Sequence, residues 1–274
     1  MTAAELDPRV NAFRPDLATT ALKDRIAAPR YAEGNVRQVA AAAAPVRATP
    51  RLDARLETEA LHGEVVTVYD ESDGWAWGQL ARDRYVGYLP ADALTDAVTT
   101  LTHKVVALRS YVFPVPAVKA PPLRLLSLNA GLAVSESSAG FVALEGGGFV
   151  TTSHVAPLDR HAPDFVAVAE RFLGTPYLWG GRTSLGLDCS ALVQLSLEAA
   201  GIAAPRDSDM AETALGAALD PEDFSALRRG DLIFWKEHMG VMLDATRLLH
   251  ANAHHMETAI EPVADAVARG AAEG

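Results

Sequence analysis

Short runs that alternate between apolar and polar positions fill the first half of the chain. Glu64–Tyr69 (EVVTVY), Gly74–Leu80 (GWAWGQL) and Tyr85–Leu89 (YVGYL) are separated by Asp- and Gly-containing turns, the pattern of a small antiparallel barrel. After about Pro157 the period becomes helical. Phe165, Val168, Ala169, Phe172 and Leu173 recur at three- and four-residue spacing, with Asp164 suited to the first turn and Gly174 just past the end. A second apolar helix is predicted from about Asp188 to Ala200, stopped by Gly201, with strands beyond it. Helices followed by a sheet is α+β order. Ahead of the first barrel, residues 1–45 carry Pro8, Pro15, Pro29 and the run QVAAAAAPV begins within them, which reads as an N-terminal arm or linker.

The β plan is used twice. Tyr85–Leu94 lies over Phe149–Leu158, and Gly74-Trp75 lies over Gly140-Phe141 with a two-residue difference in spacing. The repeat resembles tandem bacterial SH3-like domains, in which an aromatic strand leads into a short 3₁₀ turn that closes the barrel. The expected organisation is an arm over 1–45, SH3-like domains over 46–97 and 98–158, and an α+β domain over 159–274.

The charge balance, 24 Lys+Arg against 35 Asp+Glu for a net of −11, excludes a nucleic-acid binder as the default, because phosphate binding needs a concentrated basic face. With 49% apolar residues the chain can bury real cores. Its apolar stretches are too short or interrupted to span a bilayer, and MTAAELDPRV lacks the basic-then-apolar order of an export signal. A soluble, cytoplasmic protein is expected, with neither nucleic-acid nor membrane partners.

One cysteine, Cys189, excludes an intramolecular disulfide. It opens the second predicted helix, where free N–H groups and the helix dipole favour a thiolate and lower its pKa. A base must accompany it. If His238–Leu243 and Leu248–His250 form a hairpin centred on Asp244, His238 and His250 stand directly opposite, their Cβ atoms about 5 Å apart. One imidazole then acts as base and the other orients it. A metal site using His250, His254 and His255 is disfavoured, because adjacent residues on a strand point to opposite faces. The chemistry requires no metal, nucleotide or organic cofactor.

Tyr177-Leu-Trp-Gly-Gly181, Asp188-Cys-Ser190, Pro205-Arg-Asp-Ser208, Arg229-Gly-Asp-Leu-Ile-Phe234, His238-Met-Gly-Val241 and His250 resemble the ordered motifs of NlpC-type cell-wall cysteine peptidases, over about residues 161–260. With the SH3-like repeats, the chain is similar to the γ-D-glutamyl-L-diamino acid endopeptidases that cut free murein peptides. The resemblance implies a papain-like core, with Cys189 as nucleophile, His238 as general base and His250 as its orienting residue. It implies that Tyr177 and the Cys189 N–H hold the oxyanion. Along the substrate it places Trp179, Ser190, Arg206, Asp207 and Ser208, with Asp207 meeting the free amine of an N-terminal L-Ala and Tyr85 of the first SH3-like domain closing that end. A carboxylate facing an ammonium rejects acylated N-termini, which would leave the acid unpaired. Two departures stand out: Ala191 replaces a common glycine, and the resemblance implies one more strand beyond the final ARGAAEG, without which a sheet edge is exposed.

Two competing readings make different predictions. An exported wall hydrolase would cleave insoluble sacculi, whereas a non-catalytic SH3-like peptide binder would have an unreactive thiol.

Overall fold

Seven antiparallel strands between Asn35 and Thr95 form the first sheet, in the spatial order Leu94–Thr95, Asn35–Val39, Val65–Ser72, Trp75–Leu80, Val86–Pro90, Ala43–Arg47, Leu56–Leu61. In the computed structural model, which describes residues 6–138, 140–219 and 226–273, this sheet belongs to a unit ending at Leu158, and a second unit starts at Asp159. Alternation puts Val39, Val46, Val66, Val68, Leu80 and Leu89 on one side as a core. The sheet curls tightly where Gly87 crosses Ala43–Arg47, since a Cβ there would stand 2.5 Å from Val46 Cγ1.

The segment before residue 46 is not a linker. Phe13–Arg14, Leu17–Thr19 and Arg30–Ala32 make a small sheet of their own, and Asn35–Val39 and Ala43–Arg47 are strands of the barrel. Leu17 and Ala12 are buried against Trp77, whose ring lies 4.8 Å beneath the Arg14 guanidinium. The alanine run misleads because small residues suit a crowded strand as well as a helix; Ala44 is fully buried.

Residues 103–157 surround a second core of Val105, Val112, Leu126, Leu132, Val142 and Val150 with short antiparallel strands. Val86–Pro90 leads to a 3₁₀ turn at Ala91–Ala93, and Phe149–Thr151 leads to one at Thr152–His154. Each turn opens with an N–H donated to a glycine carbonyl, Ala91 to Gly74 and Thr152 to Gly140, both glycines having positive φ. Matched on these bonds, the two turns lie three residues out of step with the sequence alignment above. Tyr85 is 3% exposed and packs in the first core.

In the second unit the helical periods become α1 (Phe165–Glu170), where Asp164 accepts hydrogen bonds from the Val166 and Ala167 N–H groups, and α2 (Cys189–Ala199), followed by Gly201 at positive φ. Ten of the eleven residues of α2 are buried, so it is the centre of the unit. A short α3 (Ser208–Ala214) precedes the sheet Leu232–Trp235, His238–Met242, Arg247–Asn252, Glu257–Pro262, each strand pairing with the next in chain order. The chain then forms a helix, α4 (Val263–Glu273), whose Val263 and Ala266 pack on Met242 and Leu248, and among the described residues no further strand follows Glu257–Pro262.

Candidate active site

Asp188 organises the start of α2. Its carboxylate accepts the Ala191 N–H at 2.9 Å, which caps the helix, and the Gly180 N–H at 3.0 Å, which ties the Tyr177–Gly181 loop to that end. Arg206 reaches both oxygens, at 3.0 and 2.7 Å, and donates to Ser190 Oγ at 2.7 Å. Ser190 Oγ in turn donates to Asp188 at 3.2 Å. Arg206 is 1% exposed and Ser190 6%, and together they brace the frame of the site. The bidentate fork neutralises a carboxylate that would otherwise be buried beside the cysteine.

Cys189, at the first position of α2, packs against Met239, and its sulfur accepts the Met239 N–H. That contact joins the start of α2 to the strand that carries His238. The expected lowering of the thiol pKa does not hold. Burial, reinforced by the Asp188 carboxylate, pushes the Cys189 thiol up to about 12 against the hydrogen bonds and Arg206 that favour the thiolate. Burial, with His250 and Arg269 nearby, takes His238 down to about 4. The resting pair is therefore a neutral thiol and a neutral imidazole.

The two histidines meet, although not in the expected register. Val241 pairs with Leu249 and Met242 with Leu248, which puts Gly240 opposite His250 and His238 two residues along on the same face. Because Gly240 has no side chain, the His238 ring leans across it, and Nε2 comes within 2.8 Å of His250 Nδ1. On the other side His238 is paired with Trp235, the rings 5.6 Å apart.

The sequence reading missed the next members. His250, 1% exposed, has Nε2 at 2.7 Å from Glu261 Oε1, and Arg269 of α4 donates to both oxygens of Glu261. The available signal was a charged residue in the apolar strand TAIEP, followed by an arginine two helical turns on.

Tyr177 is half-buried in the loop before Gly180, and burial and the nearby Cys189 raise its hydroxyl pKa, so it remains a hydrogen-bond donor. Trp179 is 49% exposed. Asp207 and Ser208, both half-buried, begin α3; Asp207 stands at the N-cap position, and its side chain makes no capping bond.

His250, His255 and Glu261 bring potential ligand atoms within 4.8 Å of one another. His254 and His255 lie in a turn, so the strand argument against a metal does not apply to them. Both nitrogens of His250 and both oxygens of Glu261 are engaged, however, and His255 Nδ1 lies 3.0 Å from Asn252 Oδ1. The cluster is a hydrogen-bonded relay.

A thiol at a helix start, bonded to the residue next to an imidazole that a second imidazole contacts, is an arrangement suited to nucleophilic acyl transfer. Residues 174–268 match the NlpC/P60 family, and the second unit is an NlpC/P60 domain. Residues 46–94 match the bacterial dipeptidyl-peptidase SH3 domain, and the chain is homologous over much of its length to γ-D-glutamyl-L-lysine dipeptidyl-peptidases. It is 27% identical to the enzyme of that name from Bacillus cereus over 212 residues, 68% of this chain and 62% of that one. It is also 27% identical to dipeptidyl-peptidase 6 of Lysinibacillus sphaericus, across 78% of this chain and 86% of the relative. The crystal structure of an NlpC/P60 family protein from Bacillus cereus shares the fold, with a TM-score of 0.71 at 22% identity over 84% of this chain and 94% of that one. Among the described residues no helix is long and apolar enough to cross a membrane.

Proposed function

We propose that this protein is a cysteine peptidase that hydrolyses the bond between γ-D-Glu and the diamino acid in free murein stem peptides, releasing L-Ala-D-Glu, and that it works in cytoplasmic recycling of cell-wall peptides. The observation that carries the reading is the presence in one chain of a dipeptidyl-peptidase SH3 domain and an NlpC/P60 domain with Cys189 at a helix start. Residues 98–158 are read as a second SH3-like domain, supported by the repeated glycine-to-3₁₀ hydrogen bond.

In the proposed reaction His238 takes the Cys189 proton as the sulfur attacks the γ-carbonyl carbon, and the C=O electron pair moves to oxygen. The Tyr177 hydroxyl and the Cys189 N–H hold that oxyanion. His238 then gives its proton to the departing amine of the diamino acid, leaving L-Ala-γ-D-Glu as a thioester on Cys189. Water attacks the thioester with His238 again as base, which frees the dipeptide and restores the thiol. Asp207 receives the ammonium of L-Ala, with Trp179 and Ser208 alongside.

The test is mass spectrometry of L-Ala-γ-D-Glu-diamino acid tripeptide and its N-acetylated form, each incubated with the protein and with Cys189→Ala. The expected result is release of L-Ala-D-Glu from the free-amine peptide only, lost in the variant. Cleavage of both forms, or of insoluble sacculi, would replace the recycling role with that of a wall hydrolase, and cleavage of neither would remove the proposed activity.

A further inference from the structure

Hydrogen-bond direction along the relay can be worked out from its far end. Arg269 has only donors, and it donates to both oxygens of Glu261. Burial raises the Glu261 pKa, but the Arg269 and His250 hydrogen bonds outweigh it and hold the carboxyl below its usual range. An ionised carboxylate is acceptor-only, so across the 2.7 Å contact His250 must donate from Nε2. A neutral imidazole carries one N–H, which leaves His250 Nδ1 as an acceptor. Across the 2.8 Å contact His238 must then donate from Nε2. The lone pair of His238 is thereby placed on Nδ1, the nitrogen free of the relay. The other charged or titratable groups near the chain are His255, whose ring is 6.4 Å from that of His250, and Asp188, which bears on His238 from α2.

We propose that Glu261, held by Arg269, is the positioning residue that sets the tautomer of both histidines and so makes His238 Nδ1 the base. This deepens the peptidase reading and rests on it for any effect on turnover, but the tautomers themselves do not depend on the substrate. Oε1 is the oxygen that faces both His250 Nε2 and Arg269 Nη2, while Arg269 Nη1 takes Oε2. Glu261→Leu makes the role visible because it removes the acceptor. The His250 proton is then free to move to Nδ1, His238 accepts that N–H at Nε2, and its own proton moves to Nδ1, where a base is needed. Glu261→Gln is the conservative variant, because its amide oxygen takes the place of Oε1 between the same two donors. A wrong tautomer of this kind lowers kcat about 10⁴-fold in serine proteases.

The experiment is ¹⁵N imidazole NMR on the full chain, with His238 and His250 assigned by substitution, beside kcat on the free-amine tripeptide. In the unsubstituted protein both rings are expected to be protonated on Nε2 and bare on Nδ1. In E261L both are expected to shift toward Nδ1 protonation, with kcat down about 10²-fold or more and KM nearly unchanged. In E261Q both are expected to stay protonated on Nε2, with kcat within about tenfold of the parent, whereas a role resting on the carboxylate charge alone would lower E261Q as far as E261L. Protonation on Nδ1 in the unsubstituted protein, unchanged tautomers in E261L, or inverted tautomers in E261Q would overturn the proposal. Because the first spectrum needs no substrate, a failure of the peptidase reading would leave it standing or falling by itself.

Discussion

A Cβ on Gly240 would stand 3.0 Å from the Cβ of His250 and 2.9 Å from Leu248 Cδ1. The space that glycine leaves is what lets His238 reach diagonally across the strand pair. Gly240→Ala is expected to force the strands to shift, at about 1–3 kcal/mol of stability for the overpacking. If the His238–His250 contact parts, kcat falls by more than the stability loss accounts for. Urea unfolding and turnover measured on the same preparation check this.

Arg206 and Asp188 form a buried, bidentate pair at the nucleophile's helix cap. Arg206→Met leaves a carboxylate buried without its counter-charge, and a destabilisation of about 3–5 kcal/mol is expected from urea midpoints. Arg206→Lys is expected to recover only part of it, since an ammonium cannot span both oxygens. The loop carrying Gly180 should loosen in both variants, and limited proteolysis at the Tyr177–Gly181 loop reads that out.

Thiol chemistry in the free protein should follow the neutral pair. With Cys189 pushed up to about 12 and His238 down to about 4, the rate of alkylation by iodoacetamide is expected to climb steadily into the alkaline range. A plateau beginning near pH 5 would show a preformed thiolate–imidazolium pair and contradict this. Stability has its own pH dependence. The unfolded chain protonates His238 near the ordinary 6.5 and the fold only near 4, so protons favour unfolding; the contribution is complete above 6.5 and is lost as pH falls from there toward 4. His250 is shifted in the same direction. Unfolding midpoints across that window are expected to fall less steeply in His238→Ala.

Asp207→Ala is expected to lower turnover of free-amine peptides about 10²-fold or more, the scale of an unpaired charge in a binding site, while leaving the alkylation rate of Cys189 unchanged. Equal turnover by the variant and the parent would remove Asp207 from the amine site.

Much of the site was legible because its residues occupy punctuated positions. Cys189 follows an aspartate at a helix start, and the two histidines flank a turn. The register between them was not legible, because a hairpin's symmetry point depends on turn geometry, and the loop around Asp244 pairs two residues away from the symmetric solution. The Arg206–Asp188 brace was hidden for a related reason: in a motif, a charged residue that binds substrate and one that braces a cap look alike, and only the partners distinguish them. Glu261 and Arg269 escaped notice because their meaning lies in a partner on another strand. In the first unit, short strands rich in alanine and proline lacked the alternation that marked the later barrel strands, so the N-terminal sheet was read as a linker.

Trp235 faces His238 across the sheet, ring against ring. A charge arriving on that imidazole sits against the indole's π-face and perturbs its emission. The strand neighbouring the proposed base therefore carries an intrinsic optical reporter, through which proton uptake at the site can be followed in real time without a label.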